Sequence, residues 1–490
     1  MSAEPNSHAF EYSDSLDKWI SDEKLGFEFT NVVGQLYYDK SIELILFRSQ
    51  LIDRSSSVIL YKHSYSKVVI GRNLQIKDSL AIAKVLYDLD LPPARIDIGR
   101  LNREWTEEGQ KYANVRAFVE DKLKDLLGKK VHYDKPIDVI VYGFGRIGRL
   151  VTRELIIQGN GTQLNVKAIV TRGNSDDEIR KRASLFRHDS IHGPFRGIAI
   201  EDVEAKTLTI NGHTIKMIAA NTPEEIDYTE YGIHDALLID STGVWTSREG
   251  LCRHLKSKGV SKVLLTAPGK GDIPNIVYGV NHDDPGINFA TENIFSAASC
   301  TTNAIVPVLY VLENTLGIEK GHIETVHAYT NDQNLTDNYH KKPRRGRSAP
   351  MNMVLTSTGA ASAAAKAIPS LKGKLTANAV RVPIPNVSLA IMALTVKEQT
   401  SVEGVVEILK GAALKGRLVE QIRYSPSNES VSTDFIGDSC AGIFDAPSTQ
   451  VSADGKNIVL YVWYDNEFGY TIQVIRLAKH LAGVNWYTYY

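Results

Sequence analysis

Residues 137–142, Ile-Asp-Val-Ile-Val-Tyr, read as a buried strand that leads straight into Gly143-Phe144-Gly145-Arg146-Ile147-Gly148 and then into a helical stretch over 149–157. Glycines spaced Gly-x-Gly-x-x-Gly are common at tight turns, so the spacing alone decides little. Between a strand and a helix they do more, because the turn lets backbone amides and a helix N-terminus hold a pyrophosphate. Apolar strands are expected again at 166–170, 236–239 and 262–266, with helical stretches between them. This alternation predicts an α/β fold, a Rossmann-type doubly wound parallel sheet with its ligand at the carboxyl ends of the strands.

Beyond residue 299 the pattern changes. Ala298-Ser299-Cys300-Thr301-Thr302-Asn303 sets a cysteine at the start of an apolar helix expected over 304–316. Helix dipoles there favour a thiolate, although a free cysteine is more often a small buried hydrophobe. The second requirement for an activated thiol is supplied by Glu324-Thr325-Val326-His327-Ala328-Tyr329-Thr330-Asn331-Asp332, where the imidazole can favour the thiolate and move a proton. Later β-rich segments at 388–397 and 458–464 imply a second domain of α+β type.

A dinucleotide site and a Cys/His pair in one chain suggest aldehyde oxidation through a covalent thioester. From about Asp138 onward the chain resembles the phosphorylating glyceraldehyde-3-phosphate dehydrogenases. The resemblance is carried in order by Gly143 to Arg149, Ser241-Thr242-Gly243-Val244, Ala298 to Asn303, Thr325-Val326-His327-Ala328, Thr356-Ser357-Thr358-Gly359-Ala360-Ala361, Val380-Arg381-Val382-Pro383 and Trp463 to Tyr470. It implies Cys300 as nucleophile and His327 as acid and base. It also implies Thr330 and Arg381 on the substrate phosphate, and Ser299, Thr301, Arg345, Thr358 and Gly359 around the attacking inorganic phosphate. Gly143, Gly145, Arg146, Ile147, Gly148, Thr171, Arg172, Thr266, Asn466 and Tyr470 would hold the cofactor, with Asn466 on the nicotinamide carboxamide. No metal is implied, and the family assembles as a homotetramer.

Cofactor choice departs from the commonest family pattern. Where NAD-preferring members carry an aspartate for the adenosine ribose, this chain has Thr171-Arg172, which admits a 2′-phosphate and can pair with it. The Leu-Pro pair of NAD-specific relatives falls at Asn338-Tyr339, while a basic residue near the adenine falls at Asn221. The expectation is NADP, with NAD as the alternative. A further departure is Tyr142, where many relatives have asparagine.

The resemblance divides the chain into a dinucleotide-binding domain at 134–299, completed by a C-terminal helix at 471–490, and a catalytic domain at 300–470. Residues 1–133 lie outside it and are expected to form a mainly helical extension. Val33, Leu36, Tyr37, Leu44, Phe47 and Leu51 suggest one amphipathic helix, Leu80, Ala83 and Leu86 another, and Val115 to Leu126 a third stopped by Gly128. A net charge of −1 gives no global reason to expect nucleic acid, and the basic cluster 341–347 reads as a loop. No apolar run is long enough for a bilayer, Met1–Phe10 lacks a secretion-signal pattern, and three cysteines cannot all pair internally. A reducing cytoplasm is the expected compartment. Two other functions stay open at this stage: erythrose 4-phosphate oxidation with thioester hydrolysis, and a binding or regulatory role of the extension.

Overall fold

The computed structural model describes residues 12–490, so the Met1–Phe10 segment read for a signal lies outside the described residues. The chain forms two compact units, one of residues up to Asp134 together with Trp486–Tyr490, the other of Lys135–Asn485.

In the first unit helices span Tyr12–Lys40, Ser56–Ile70, Ile76–Asp88, Ile98–Glu108 and Val115–Lys122. Phe29, Val33 and Leu36 of the long first helix pack with Leu80, Ala83 and Leu86. Helices dominate, but they cover a four-stranded sheet in the order Ser49–Gln50, Ile42–Leu46, Ala94–Asp97, Tyr487–Tyr489. The single helix expected across residues 33–51 is therefore corrected. The long helix stops at Lys40, Ser41 takes a positive φ of 54°, and Ile42–Leu46 runs as a strand with all five residues buried. A short apolar run buried on both faces shows no alternation, so its period cannot separate strand from helix.

The fourth strand comes from the opposite end of the chain. Tyr487–Tyr489 pairs in parallel with Ala94–Ile96 on the side away from Ile42–Leu46. Side chains fix it there: the Trp486 indole donates to the Tyr133 hydroxyl at 2.8 Å, Tyr489 donates to Glu104 at 2.6 Å, and the Arg100 guanidinium lies 4.2 Å from the Tyr489 ring centre. The helix expected at 471–490 is thus corrected as well, since it runs Phe468–Leu481 and residues 486–490 belong to the first unit.

The second unit holds two large sheets. One has the order Ile294–Ser296, Val260–Leu265, Ala236–Asp240, Ile137–Tyr142, Leu164–Thr171, His213–Ala219, then Thr207–Ile210 and Ala199–Asp202. The first six strands are parallel and the last two continue as antiparallel neighbours. Helix Arg146–Ile157 follows the glycine turn as expected. The other sheet is mixed and built around Ile318–Ala328, Leu375–Val382, Ser388–Val396 and Asn457–Tyr464. Helix Cys300–Thr315 shares its core, with Ile305, Leu309 and Leu312 against Ile323, Met392 and Leu460. Among the described residues no helix is long and apolar enough to cross a membrane.

Removal of residues 486–490 leaves the edge of Ala94–Asp97 unpaired and strips Tyr487 and Tyr489 from the apolar cluster they pack on. Two such aromatic side chains and their pairing stabilise the unit by about 2–4 kcal/mol. Hydrogen exchange should therefore quicken at Ile96 and Leu44 at least tenfold in the truncated chain, with Ile140 and Leu238 unchanged; equal protection in both chains would show that the strand is dispensable.

Candidate active site

Ser299 caps helix Cys300–Thr315, its hydroxyl accepting from the Thr302 amide at 3.0 Å, so Cys300 becomes the first helical residue. Its sulfur lies 3.5 Å from Nε2 of His327, the penultimate residue of strand Ile318–Ala328. Parallel pairing sets His327 directly opposite Arg381. The Ala328 carbonyl takes the His327 Nδ1–H at 2.7 Å and an Arg381 N–H at 2.8 Å, and Arg381 also reaches the Thr330 hydroxyl at 3.5 Å. An Arg381 nitrogen also lies 3.0 Å from Nδ1, which can accept from it or donate to the Ala328 carbonyl but not both; in the tautomer with Nδ1 donating, the lone pair of Nε2 faces the thiol.

The charges differ from the expectation of an imidazole that favours the thiolate. Burial first and the Arg381 charge second push His327 down to about 3, so it is neutral near pH 7. Burial raises the Cys300 thiol, against the lowering influence of Arg381 and of Thr301. Both shifts favour a thiol beside a neutral imidazole, and the guanidinium of Arg381 is the charge that lowers the thiol.

A second arginine completes the anion-binding surface. Arg345 is buried, donates to the Thr356 hydroxyl at 3.1 and 3.3 Å, and pairs with Asp332. Burial and the charge of Arg381 lower it below the usual guanidinium range. Two desolvated guanidiniums in each other's field gain from any anion that enters. Thr358 and exposed Gly359 lead into helix Ala360–Ala367, the Thr358 hydroxyl accepting from the Ala360 amide at 3.3 Å. Thr301 and Ser299 are less available than expected. The Thr301 hydroxyl is bound to Tyr464 at 3.0 Å in the core, and that of Ser299 bonds Thr302, at 2.7 Å to its hydroxyl as well as to its amide.

Asn466 is equally fixed: it is buried, and its carbonyl oxygen accepts the Ser388 hydroxyl at 2.9 Å, with no partner for its amide N–H groups among the described residues. Ser388 in turn accepts the Ala328 amide at 3.1 Å, so one hydroxyl ties Asn466 to the strand of His327. The residue before it, Val387, is buried at φ 65°, a conformation a β-branched residue holds only under surrounding constraint. Tyr470 donates to the carbonyl of Ala298 at 3.0 Å, where φ is 55°, two residues before the thiol. Asp465 gathers the Gly437, Glu467 and Phe468 amides and the Asn386 side chain on its carboxylate.

At the glycine turn each glycine has its own reason. Gly143 has φ 98°, and a Cβ on it would stand 2.9 Å from Thr242; one on Gly148 would stand 2.1 Å from the Gly143 carbonyl oxygen. Around Gly145 there is open space. Half-buried Ile147 lies in the first turn of the following helix. The Arg146 side chain does not point there: it grips Glu467 through two nitrogens at 2.5 Å and Asp189 at 3.3 Å, so only its backbone is free for a phosphate. Thr171 donates to the Gly173 carbonyl at 2.8 Å, and Arg172 is exposed with no ion pair among the described residues. Thr266 bonds the Asp240 carbonyl at the end of the adjoining strand.

Sequence reasoning missed Asp332, Ser388, Tyr464 and Glu467. None has a signal of its own, since each acts by bonding a residue distant in the chain.

Comparison with known proteins agrees with this geometry. Residues 137–248 match the family described as glyceraldehyde 3-phosphate dehydrogenase, NAD binding domain, and residues 299–466 match its C-terminal domain. A "Glyceraldehyde-3-phosphate dehydrogenase-like protein" of Pseudomonas aeruginosa (strain UCBPP-PA14) is 48% identical over 458 residues, 93% of this chain and 98% of that protein. "Glyceraldehyde-3-phosphate dehydrogenase 2" of Trichormus variabilis is 42% identical over 347 residues, 71% of this chain and 98% of that protein. The 346-residue match to "Glyceraldehyde-3-phosphate dehydrogenase" of Pseudomonas aeruginosa PAO1, also 42% identical, has the same coverage. On its matched domains and its relatives, the chain belongs to the glyceraldehyde-3-phosphate dehydrogenase family.

Proposed function

We propose that this chain oxidises D-glyceraldehyde 3-phosphate to 1,3-bisphosphoglycerate, reversibly, through a thioester on Cys300, with NADP preferred over NAD. The observation that carries the reading is the 3.5 Å approach of the Cys300 sulfur to His327 Nε2 beside two guanidiniums, half-buried Arg381 and buried Arg345.

The thiol of Cys300 adds to the aldehyde carbon, and its proton passes to the free lone pair of His327. The Cys300 amide, at the start of helix Cys300–Thr315, helps hold the oxyanion that develops. The imidazolium gives that proton to the oxyanion, making the hemithioacetal hydroxyl; His327, neutral again, takes it back as hydride leaves the same carbon, and Cys300 holds the acyl group as a thioester. The bound dinucleotide supplies the hydride acceptor. Its cradle fits: a turn where side chains are excluded at Gly143 and Gly148 but space is open at Gly145, a helix N-terminus behind it, and Asn466 with its N–H groups free. Inorganic phosphate attacks the thioester carbonyl, the C–S bond breaks, and the thiolate returns to the thiol. Arg381 and Thr330 suit the substrate phosphate, and Arg345 with Thr358 and Gly359 the attacking one. Arg345 binds it only by sharing itself with Asp332.

Preference for NADP rests on Thr171, whose hydroxyl is turned to Gly173, and on the unpaired, exposed charge of Arg172. The exposed Tyr339 and Asn338 and the uncharged Asn221 are the other positions that bear on it. A homotetramer in a reducing cytoplasm is the assembly and compartment proposed with this activity.

Initial rates with glyceraldehyde 3-phosphate should require inorganic phosphate and be higher in kcat/KM with NADP than with NAD. Arg172→Glu should invert that preference about tenfold. Cys300→Ser should lose at least a thousandfold while folding normally. Phosphate-independent turnover, with erythrose 4-phosphate the better substrate, would instead favour thioester hydrolysis.

The pH response of the thiol tests its electrostatics. Because His327 sits near about 3 and the thiol is raised, alkylation of Cys300 by iodoacetamide in the free protein should climb into the alkaline range without a plateau at neutral pH. Arg381→Leu should move the rise to higher pH, since the guanidinium is what lowers the thiol. A rate already flat by pH 7 would mean that the resting state is an ion pair.

A further inference from the structure

Behind the glycine turn lies a buried pair that the reaction does not use. Asp240, at the end of strand Ala236–Asp240, and His254, on helix Arg248–Leu255, have fully buried side chains with Nε2 and Oδ2 3.0 Å apart. His254 Nδ1 has no hydrogen-bond partner among the described residues, so the proton lies on Nε2 and is donated to the carboxylate. The other carboxylate oxygen accepts from the Thr242 amide at 2.8 Å and from its hydroxyl at 2.7 Å. The Thr242 hydroxyl accepts from the Val244 amide at 3.1 Å, and the Ser241 amide donates to the Tyr142 carbonyl at 2.8 Å. The loop 241–244 is thereby closed against the glycine turn, where Thr242 stands within 2.9 Å of the place a Gly143 Cβ would occupy.

The same pair gives Tyr142 a role. Its ring meets the imidazole edge-on at 4.7 Å, and Trp245 meets both rings edge-on, His254 at 5.4 Å and Tyr142 at 5.8 Å. The Tyr142 hydroxyl is buried without a hydrogen-bond partner among the described residues, a cost that makes sense only if the ring itself is what the site needs. An asparagine at 142 would leave that flank of His254 uncovered.

We propose that His254 is a positioning residue for dinucleotide binding: packed against Tyr142 and Trp245, it fixes Asp240, whose other oxygen braces the Thr242 loop against the pyrophosphate turn. The inference rests on the dinucleotide reading above. His254 touches neither cofactor nor substrate. Without its N–H, the buried carboxylate has only Thr242 as partner and turns to find another, releasing the loop that walls the turn.

The test compares the full chain with His254→Leu, which removes the donor, and His254→Gln, which returns an N–H at similar reach. Thr242→Val, at a half-buried position, breaks the same link from the loop side if the core change prevents folding. Dissociation constants for NADP and NAD are measured by calorimetry, with kcat and both KM values. His254→Leu should weaken dinucleotide binding about tenfold or more, leave kcat at saturating dinucleotide within about twofold, and leave the Cys300 alkylation profile unchanged. His254→Gln should recover most of the affinity, and Thr242→Val should lose it in the same sense. Wild-type affinity in His254→Leu, or equal loss of affinity and kcat in the Leu and Gln variants, would overturn the positioning role. A parent chain that binds neither dinucleotide would overturn the reading beneath it.

Discussion

The parallel register that sets His327 beside Arg381 is the constraint on which the site depends. It forces a permanent cation against an imidazole, and in a buried setting the imidazole yields by staying neutral. A neutral imidazole cannot stabilise a thiolate by charge, but it can accept a proton. In the proposed reaction, two tasks that a Cys/His pair often shares are therefore divided. Arg381 with the helix start supplies the field on the sulfur, and His327 supplies the base.

Buried polar groups behind these residues hold that division in place. Tyr464 bonds Thr301 of the nucleophile helix at 3.0 Å and Thr325 of the His327 strand at 2.6 Å, so helix and strand are pinned two residues or fewer from the reacting atoms. Ser388 and Tyr470 link Asn466 and helix Phe468–Leu481 to the same two elements, through the Ala328 amide and the Ala298 carbonyl. The unfavourable φ angles of Val387 and Ala298 fall at these links. Strain persists where surrounding bonds over-determine the backbone, and here those bonds fix the ends of the two elements that carry Cys300 and His327.

What was legible in the sequence follows from how local each feature is. The strand over 137–142, the glycine turn and the helix after it could be read because turn chemistry and burial agree within some twenty residues. Cys300 at a helix start was legible from Ser299 and the apolar run behind it. The ionic partners were not: Arg146 reads as a phosphate ligand until Glu467, 321 residues away, is seen to occupy it. Asp332 likewise turns Arg345 from a free anion site into a shared one. The strand Ile42–Leu46 was misread because a run buried on every side carries no period.

The first unit carries the most distant dependence. Its sheet needs Tyr487–Tyr489, so residues 12–134 cannot complete it from their own length. The edge of Ala94–Asp97 stays open until the rest of the chain has been made, and an open edge invites wrong pairing. Asp97 at the end of that strand is buried and already spent on the Phe47, Gly99 and Arg100 amides, which fixes the helix start beside the edge. That helix carries Arg100 and Glu104, the two side chains that take Tyr489. The receptor for the last strand is thus preformed by local capping, and the strand arrives from Leu481, only a few residues past the helix that begins beside Asn466.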